Sequence, residues 1–215
     1  MTRNVSFFEY FYGRLPEVMT QTIRHLQITE MAVFLAILIG IPLGILITRN
    51  RRAANLILGV ANIMQTIPSL ALFGLLIPFL GIGRPLAVFV LFLYALLPII
   101  KNTYTGIKGV DDALTEAGRG MGMTNLQLLT MVEIPLALPV MMAGVRIATT
   151  INIGTATIAA LIGAQGLGSF IFRGISMGNN NLILTGALPA AALALLVDWL
   201  MGLFELYLTP KGMRR

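Results

Sequence analysis

Residues 111–135 read DDALTEAGRGMGMTNLQLLTMVEIP, a polar segment that lies between two strongly apolar stretches of the chain. Two aspartates, Asp111 and Asp112, precede a run of helix-forming residues, and acidic side chains there suit the positive end of a helix dipole. Glycines permit a sharp bend and the close approach of another backbone, and three of them follow: Gly118, Gly120 and Gly122. We therefore expect a short amphipathic helix with a glycine bend in this polar segment (residues 111–135).

The apolar side chains of the polar segment are the second feature that needs an explanation. They are Leu126, Leu128, Leu129 and Met131. A segment outside the membrane does not usually leave such a patch uncovered. Two interpretations remain open: the helix docks onto another protein, or it is a connector that lies on its own membrane domain.

Composition places most of the chain in a lipid environment. The chain has 215 residues, of which 57% are hydrophobic and 11% charged, whereas soluble domains carry about a quarter charged residues. There is no cysteine and one histidine, His25, which argues against thiol chemistry, a His-based catalytic pair or a metal site. The net charge of +6 comes from basic residues at the ends of apolar runs. That placement indicates membrane topology and not a nucleic-acid partner.

The apolar runs predict an all-α integral membrane fold with about five transmembrane helices. Each crossing needs about 20 apolar residues. The predicted spans are residues 31–47 (extended backward by Leu26 and Ile28), 56–80, 86–100, 136–161 and 182–208. Residues 1–26 form a lead-in without the apolar core of a cleavable signal peptide, residues 27–208 form a single transmembrane domain, and residues 209–215 form a tail.

The lead-in is rich in aromatic residues, namely Phe7, Phe8, Tyr10, Phe11 and Tyr12. Two interpretations are open for it. It forms an amphipathic helix that lies at the membrane surface with these rings as anchors, or it simply continues into the first span.

Basic residues in the short loops predict the orientation, because lysine and arginine accumulate on the cytoplasmic side. One side carries Arg49, Arg51, Arg52, Lys101, Lys108, Arg119, Lys211, Arg214 and Arg215. The opposite side carries Arg84 and Arg173, together with Arg3, Arg14 and Arg24 of the lead-in. The N-terminus is therefore expected outside, the C-terminus inside, and the loop of residues 101–135 in the cytoplasm.

The spacing within the polar segment resembles the "EAA" loop of permease subunits in bacterial ATP-binding cassette (ABC) importers. That pattern is Glu-Ala-Ala, three residues, Gly, nine residues, Ile, one residue, Leu, Pro. Here Glu116, Ala117 and Gly118 are followed by Gly122, and residues 132–135 read VEIP. The chain departs from the pattern at three positions, where Gly118 replaces the second Ala, Val132 replaces the Ile and Ile134 replaces the Leu. Each residue is similar in size to the one that it replaces. The resemblance implies that Glu116, Ala117, Gly118, Gly122, Glu133 and Pro135 form a coupling helix that docks into an ATPase.

The same resemblance implies the fold, the location and the partner proteins of this chain. The fold is that of a type I ABC importer with a core like that of methionine permeases, in the plasma membrane of a bacterium. The partners are a second permease subunit (identical or homologous), two ABC ATPase subunits and a substrate-binding protein. The chain has no GxxxxGK[ST] run to hold phosphates. We therefore expect no catalytic residue and no cofactor on this chain, with ATP and Mg on the partner ATPase.

Two further stretches indicate which solute is transported. Residues 65–69 and 102–110 resemble permeases for quaternary-ammonium osmoprotectants (glycine betaine, choline and carnitine), and this resemblance covers the chain from about Gln21 onward. The Gly-rich residues 163–168 are also similar to methionine-uptake permeases. The predicted function is osmoprotectant import, with methionine or another small solute as the alternative. A passive channel or an intramembrane enzyme is the alternative of a different class.

Polar residues within the spans are candidates for the translocation path, because a polar group facing lipid is costly. The candidates are Gln65, Thr66, Pro68 and Ser69 in the second span, and Asn152 and Thr155 in the fourth. Pro68 also frees the carbonyl of Met64, four residues earlier. Helix packing by small and polar residues is the alternative for both groups.

Arg146 and Asp198 are the most costly residues inside the predicted spans, at about 2.5–3.5 kcal/mol each at a helix centre. Each lies about ten residues from the cytoplasmic end of its span, at a similar depth of about 15 Å. We expect them to form an intramembrane ion pair that joins the fourth and fifth spans. In the alternative interpretation, Asp198 is a counter-ion for a cationic cargo.

Overall fold

The computed structural model describes residues 6–208, and this part of the chain is built from helices and short connections, without a strand. The helices are α1 Phe7–Tyr12, α2 Leu15–Ile47, α3 Arg51–Thr66, α4 Ser69–Leu80, α5 Arg84–Lys108, α6 Asp112–Gly120, α7 Asn125–Leu128, α8 Ile134–Ile158, α9 Gly168–Met177 and α10 Asn180–Leu208. A π-helical turn, Leu129–Glu133, precedes α8, and a 3-10 turn, Ala159–Ile162, follows it.

Four helical stretches are long and apolar enough to cross a membrane. They are Leu15–Ile47, Arg84–Lys108, Asn125–Ile162 and Asn180–Leu208, and a fifth crossing results if the bent pair α3 and α4 counts as one span. The prediction of an all-α membrane protein with about five spans is confirmed.

The described residues group into two compact units. Those of unit 1 fall in Met1–Ala32, Ile67–Phe92 and Thr150–Val197, and those of unit 2 in Val33–Thr66, Leu93–Thr149 and Asp198–Arg215. Unit 1 has a core that includes the buried Val18, Ile153, Leu167, Phe170 and Leu182. The predicted tail, residues 209–215, lies outside the described residues.

In unit 2, glycine lets α8 pack closely on α5. A Cβ added at Gly144 would lie 2.5 Å from the Cβ of Asn102 and 2.8 Å from the carbonyl oxygen of Pro98. Small residues at helix contacts are the usual solution in membranes, where van der Waals packing must replace the hydrophobic effect between helices. The contact holds the middle of α8 against α5.

The second span differs from the prediction of one interrupted helix over residues 56–80. It consists of α3 and α4, whose axes bend by 100° at the break between them. Pro68 has extended backbone angles (φ −56°, ψ 135°) and directly precedes α4. A proline has no N–H to donate and clashes with the preceding turn, so the helix ends and restarts where only a kink was expected.

Several boundaries also differ. The third span was expected to end at residue 100, but α5 continues to Lys108, so the loop of residues 101–135 begins as helix. Residues 163–181 were read as a loop, yet they contain α9, which ends at Gly178 in a left-handed conformation (φ 62°). The aromatic lead-in forms α1 and the start of α2, which is continuous with the first span.

Candidate functional site

The polar segment folds as two capped helices joined by a glycine turn. The Asp111 carboxylate accepts a hydrogen bond of 2.9 Å from the Ala113 backbone N–H at the start of α6. Gly122, with φ 80°, occupies the turn, a conformation that favours glycine. Thr124 and Gln127 form a reciprocal capping box at α7, with distances of 3.3 Å and 2.8 Å. Both helix starts are therefore fixed by their own side chains.

Gly118 is the contact point between the two halves of the polar segment. It is buried on α6, and a Cβ at this position would lie 2.8 Å from Leu128 Cδ1 and 3.2 Å from Met123 Sδ. Leu128 is 1% exposed. The substitution of glycine for the second alanine of the family pattern thus allows α6 to approach Leu128 closely. The result is a packed helix pair and not a loose connection.

The exposed surface of the helix pair carries both polar and apolar side chains. Glu116 and Ala117 are exposed. So are the large apolar side chains of Leu114, Met121, Leu126 and Met131, with Met121 at 73% and Leu126 at 70%. Of the predicted apolar face, Leu126 and Met131 are exposed, whereas Leu128 is buried and Leu129 packs against the core around Ile107. The exposed part is a surface suited to a protein partner.

Glu133 and Pro135 occupy a different place from Glu116. Glu133 is buried in the π-helical turn, and its carboxylate is in an ion pair with Arg49. The side chain of Glu133 is 5% exposed and that of Arg49 is 50% exposed. Pro135 is half-buried at the start of α8. Glu133 therefore joins the polar segment to the end of α2 in unit 2.

Arg49 was missed as a site residue, because the sequence showed it only as one of several basic loop residues. Its partner lies 84 positions away. The only hint in the sequence was an acidic residue, Glu133, just before an apolar span.

Arg146 and Asp198 lie together in unit 2. The guanidinium binds the carboxylate in a bidentate manner, with Nε–Oδ1 and Nη2–Oδ2 distances of 2.6 Å each. Glu205 Oε2 lies 3.7 Å from Arg146 Nη1. A Cβ added at Gly202 would lie 3.1 Å from that same nitrogen. The arginine of α8 thus lies against α10 at a glycine, between two acidic residues.

Glu205 was not predicted. It lies seven residues after Asp198, which places both side chains on one face of α10 two turns apart. This spacing is visible in the sequence, but Glu205 lies within the apolar run that is predicted as the last span.

The candidate path residues of the second span lie at its break. Gln65 Nε2 donates a hydrogen bond of 3.4 Å to the carbonyl of Tyr94, and the Thr66 hydroxyl donates one of 2.7 Å to the carbonyl of Ile63. Thr66 and Pro68 are exposed, and Gln65 and Ser69 are half-buried. Each helix end at the break therefore carries polar side chains, Gln65 and Thr66 on α3 and Ser69 on α4.

Asn152 and Thr155 have different surroundings. Asn152 is fully buried, and its Nδ2 donates a hydrogen bond of 3.0 Å to the carbonyl of Leu91. The half-buried Thr155 donates a hydrogen bond of 3.0 Å to the carbonyl of Ile151 within its own helix. The Oδ1 atom of Asn152 is buried without a hydrogen-bond partner, so the path and the packing interpretations both remain open for this residue. As to metals, residues 6–208 contain no group of three or more ligating side chains that could hold an ion.

This combination defines a class of protein. Several membrane-spanning helices carry, between two of them, a packed helix pair with a glycine turn and with exposed polar and apolar side chains. That architecture is typical of a transport permease that is moved by another subunit.

Residues 36–208 match the family model described as "Binding-protein-dependent transport system inner membrane component", and the chain belongs to this family. It is therefore a membrane subunit of an ABC importer, a class that works with an ATPase and a binding protein.

Similar proteins of known role cover nearly the whole chain. The chain is 50% identical over 205 residues to the carnitine transport permease protein OpuCB of Listeria monocytogenes, which covers 95% of this chain and 94% of the relative. It is 49% identical over 198 residues to the osmoprotectant import permease protein OsmW of Salmonella typhimurium (90% and 92%). It is 45% identical over 199 residues to the choline transport system permease protein OpuBB of Bacillus subtilis (93% and 92%).

Solved structures confirm the predicted fold. The permease chain in an inward-facing structure of the MetNI methionine ABC transporter superposes with a TM-score of 0.82 at 24% identity, covering 90% of this chain and 96% of that one. A chain of an amino acid ABC transporter superposes with a TM-score of 0.72 at 22% identity, covering 94% and 98%. The predicted methionine-permease-like core is therefore present.

Proposed function

We propose that this chain is the permease subunit of an ATP-driven importer for quaternary-ammonium osmoprotectants: glycine betaine, choline and carnitine. The observation that carries the cargo class is the full-length similarity to permeases whose names specify carnitine, choline or osmoprotectants. The observation that supports coupling is the exposed face of α6 and α7 around Glu116. The chain forms the path, and a separate protein supplies the energy.

The proposed coupling relies on the packing of α6 against Leu128 in the polar segment. ATP and Mg bind to two ATPase subunits, which close on ATP and pull on the Glu116 face. A second permease subunit, identical or homologous, completes the path, and the binding protein delivers the cargo. ATP shifts the population between two states because it binds one of them more tightly.

Two ion pairs support the transmission of that movement. Arg49–Glu133 joins the polar segment to the end of α2, and Arg146–Asp198 joins α8 to α10. A displacement of the docked helices is therefore carried into the spans rather than lost in a flexible loop. Glu133 contributes to coupling through this link, while Glu116 and Ala117 contribute by contact with the ATPase.

The importer lies in the bacterial plasma membrane, with the N-terminus outside and the C-terminus in the cytoplasm. The distribution of lysine and arginine supports this orientation. It places the Glu116 face in the cytoplasm, where an ATPase is available.

Gln65 and Thr66 at the end of α3, and Pro68 and Ser69 at the start of α4, are the residues of the second span that we assign to the path. Non-helical backbone within a membrane is tolerated where it lines a cavity or is covered by protein. Thr155 belongs to the path only as an outer residue. The cargo alternatives, methionine or another small solute, use the same machine.

Uptake of four labelled solutes tests the proposed function. The importer, expressed with its partners in a strain that lacks its own osmoprotectant and methionine importers, is expected to accumulate at least one of glycine betaine, choline and carnitine, and not methionine. Glu116→Arg is expected to abolish this uptake, because it inverts the charge at the docking face. Asp112→Asn, on the same helix α6, is the matched control and should transport normally. Methionine uptake alone would overturn the cargo class, and uptake independent of ATP would favour a channel.

A further inference from the structure

Unit 1 contains a cavity that the transport mechanism does not use. Its volume is about 290 Å³, and its lining consists of Arg24, Gln27, Ile28, Arg84, Gly163 and Gln165. These residues come from α2, from the first turn of α5 and from the Gly-rich stretch after α8. Three separate parts of the chain therefore form its walls.

The charge of the cavity is positive and uncompensated. It is lined by two arginines and two glutamines, and none of the six lining residues is acidic. Within residues 6–208, neither Arg24 nor Arg84 has an ion-pair partner. Guanidinium groups present several N–H donors in a planar fork that matches phosphate or carboxylate oxygens. The glutamine amides add further donors, so the lining carries the groups that suit an oxyanion.

The position of the cavity along α2 indicates which oxyanion is near. A crossing needs about 20 residues, and counting that length back from Ile47, the last residue of α2, ends at Ile28. Arg24, Gln27 and Ile28 therefore lie where the hydrocarbon layer gives way to the headgroups. Arg84, the first residue of α5, precedes the apolar run of that span in the same way. At this depth the most abundant oxyanion is the phosphate of a phospholipid.

We propose that this cavity is a phosphate-binding site that holds the headgroup of an anionic phospholipid, with Arg24 and Arg84 as the charged ligands and Gln27 and Gln165 as additional donors. Under the proposed orientation the lipid belongs to the outer leaflet. Basic pockets between membrane helices on the cytoplasmic or matrix side bind anionic headgroups through the same charge pairing, and the proposal extends this pairing to a headgroup of the outer leaflet. Soluble phosphate offers the same chemistry and is the other source of the ligand.

Lipid binding to the purified importer tests the proposal. The full-length chain, in complex with its partners in detergent, is titrated with phosphatidylglycerol, with diacylglycerol of the same acyl chains and with inorganic phosphate, and bound ligand is measured by native mass spectrometry. We expect saturable binding of phosphatidylglycerol and none of diacylglycerol. If millimolar inorganic phosphate competes with the lipid, soluble phosphate is also a ligand of this cavity. If it does not compete, the lipid headgroup is the ligand.

Variants connect the binding to this cavity. Arg24→Gln with Arg84→Gln is expected to raise the Kd for phosphatidylglycerol about 30-fold, because each basic residue near an anionic lipid contributes roughly a fivefold factor. Arg24→Lys with Arg84→Lys keeps the charge and should stay within about threefold of the unmodified importer. Arg51→Gln, an exposed arginine of unit 2, is the control and should not change the Kd.

The proposal is overturned if the double glutamine variant binds as tightly as the unmodified importer. It is also overturned if Arg51→Gln weakens binding as much, which would show unspecific attraction. If the double variant does not fold, the two single glutamine variants decide, each with an expected rise of about fivefold.

Discussion

Arg49→Gln is expected to destabilise the importer by up to about 3 kcal/mol, the lower end of the range for breaking a buried ion pair, because it leaves a buried carboxylate without its partner. The Glu133 side chain is 5% exposed and that of Arg49 is 50% exposed, so water reaches the carboxylate only from the side that the guanidinium occupied. The expected effect is a large drop in the midpoint of thermal unfolding of the purified chain, with a matching loss of cargo uptake. Circular dichroism in detergent measures the first and labelled cargo the second.

The matched control for this prediction is Glu133→Gln. Arg49 is 50% exposed and can turn to water when its partner becomes neutral, so the expected cost is only about 0–1 kcal/mol. The double variant Arg49→Gln with Glu133→Gln should be more stable than Arg49→Gln alone. If both single variants lose the same stability, the buried carboxylate is not what makes the pair necessary.

Arg146→Asp is expected to shift the folding equilibrium of the importer roughly a hundredfold toward the unfolded state and so to lower uptake. An unpaired charge at a helix centre costs about 2.5–3.5 kcal/mol, and each 1.4 kcal/mol is a factor of ten in an equilibrium constant. The substitution also brings three acidic side chains together, since Asp198 and Glu205 both contact Arg146. Asp198→Arg should lose uptake to a similar extent.

Exchanging the two charges tests whether the residues act as a pair. Arg146→Asp combined with Asp198→Arg is expected to recover part of the uptake, because the introduced carboxylate still lies near Glu205. Adding Glu205→Gln should improve that recovery. If the exchanged variant is no better than either single variant, the ion pair is not the reason that these residues are needed, and a role of Asp198 as counter-ion for the cargo gains support.

Much of the architecture could be predicted from the sequence, because lipid imposes strong rules on it. A span must be apolar over about 20 residues, and this rule located the four long helical stretches and the apolar run that folds as α3 and α4. Arg146 and Asp198 could be matched because charges in spans are rare and their depths agreed. The glycine bend of the polar segment followed from Gly118 and Gly122, whose spacing also gave the family.

Other features depended on three-dimensional contacts that no local pattern contains. Arg49 pairs with a residue 84 positions away, and nothing near it in the chain distinguishes it from the neighbouring arginines. The rule for spans does not predict helix α9, which has 10 residues and follows the Gly-rich stretch. Pro68 predicted a disturbance, but whether a proline kinks or breaks a helix depends on what packs around it.

Cysteine labelling at position 116 tests the central claim most directly, that a separate cytoplasmic motor moves the spans through the polar segment. The chain has no native cysteine, so Glu116→Cys introduces a unique thiol. A membrane-impermeant maleimide should leave it unlabelled in intact cells and label it in inside-out vesicles, more slowly when the ATPase is assembled. Ser176→Cys, on the predicted outer side, should show the opposite sidedness. Labelling of position 116 in intact cells, or equal labelling with and without the ATPase, would contradict the account.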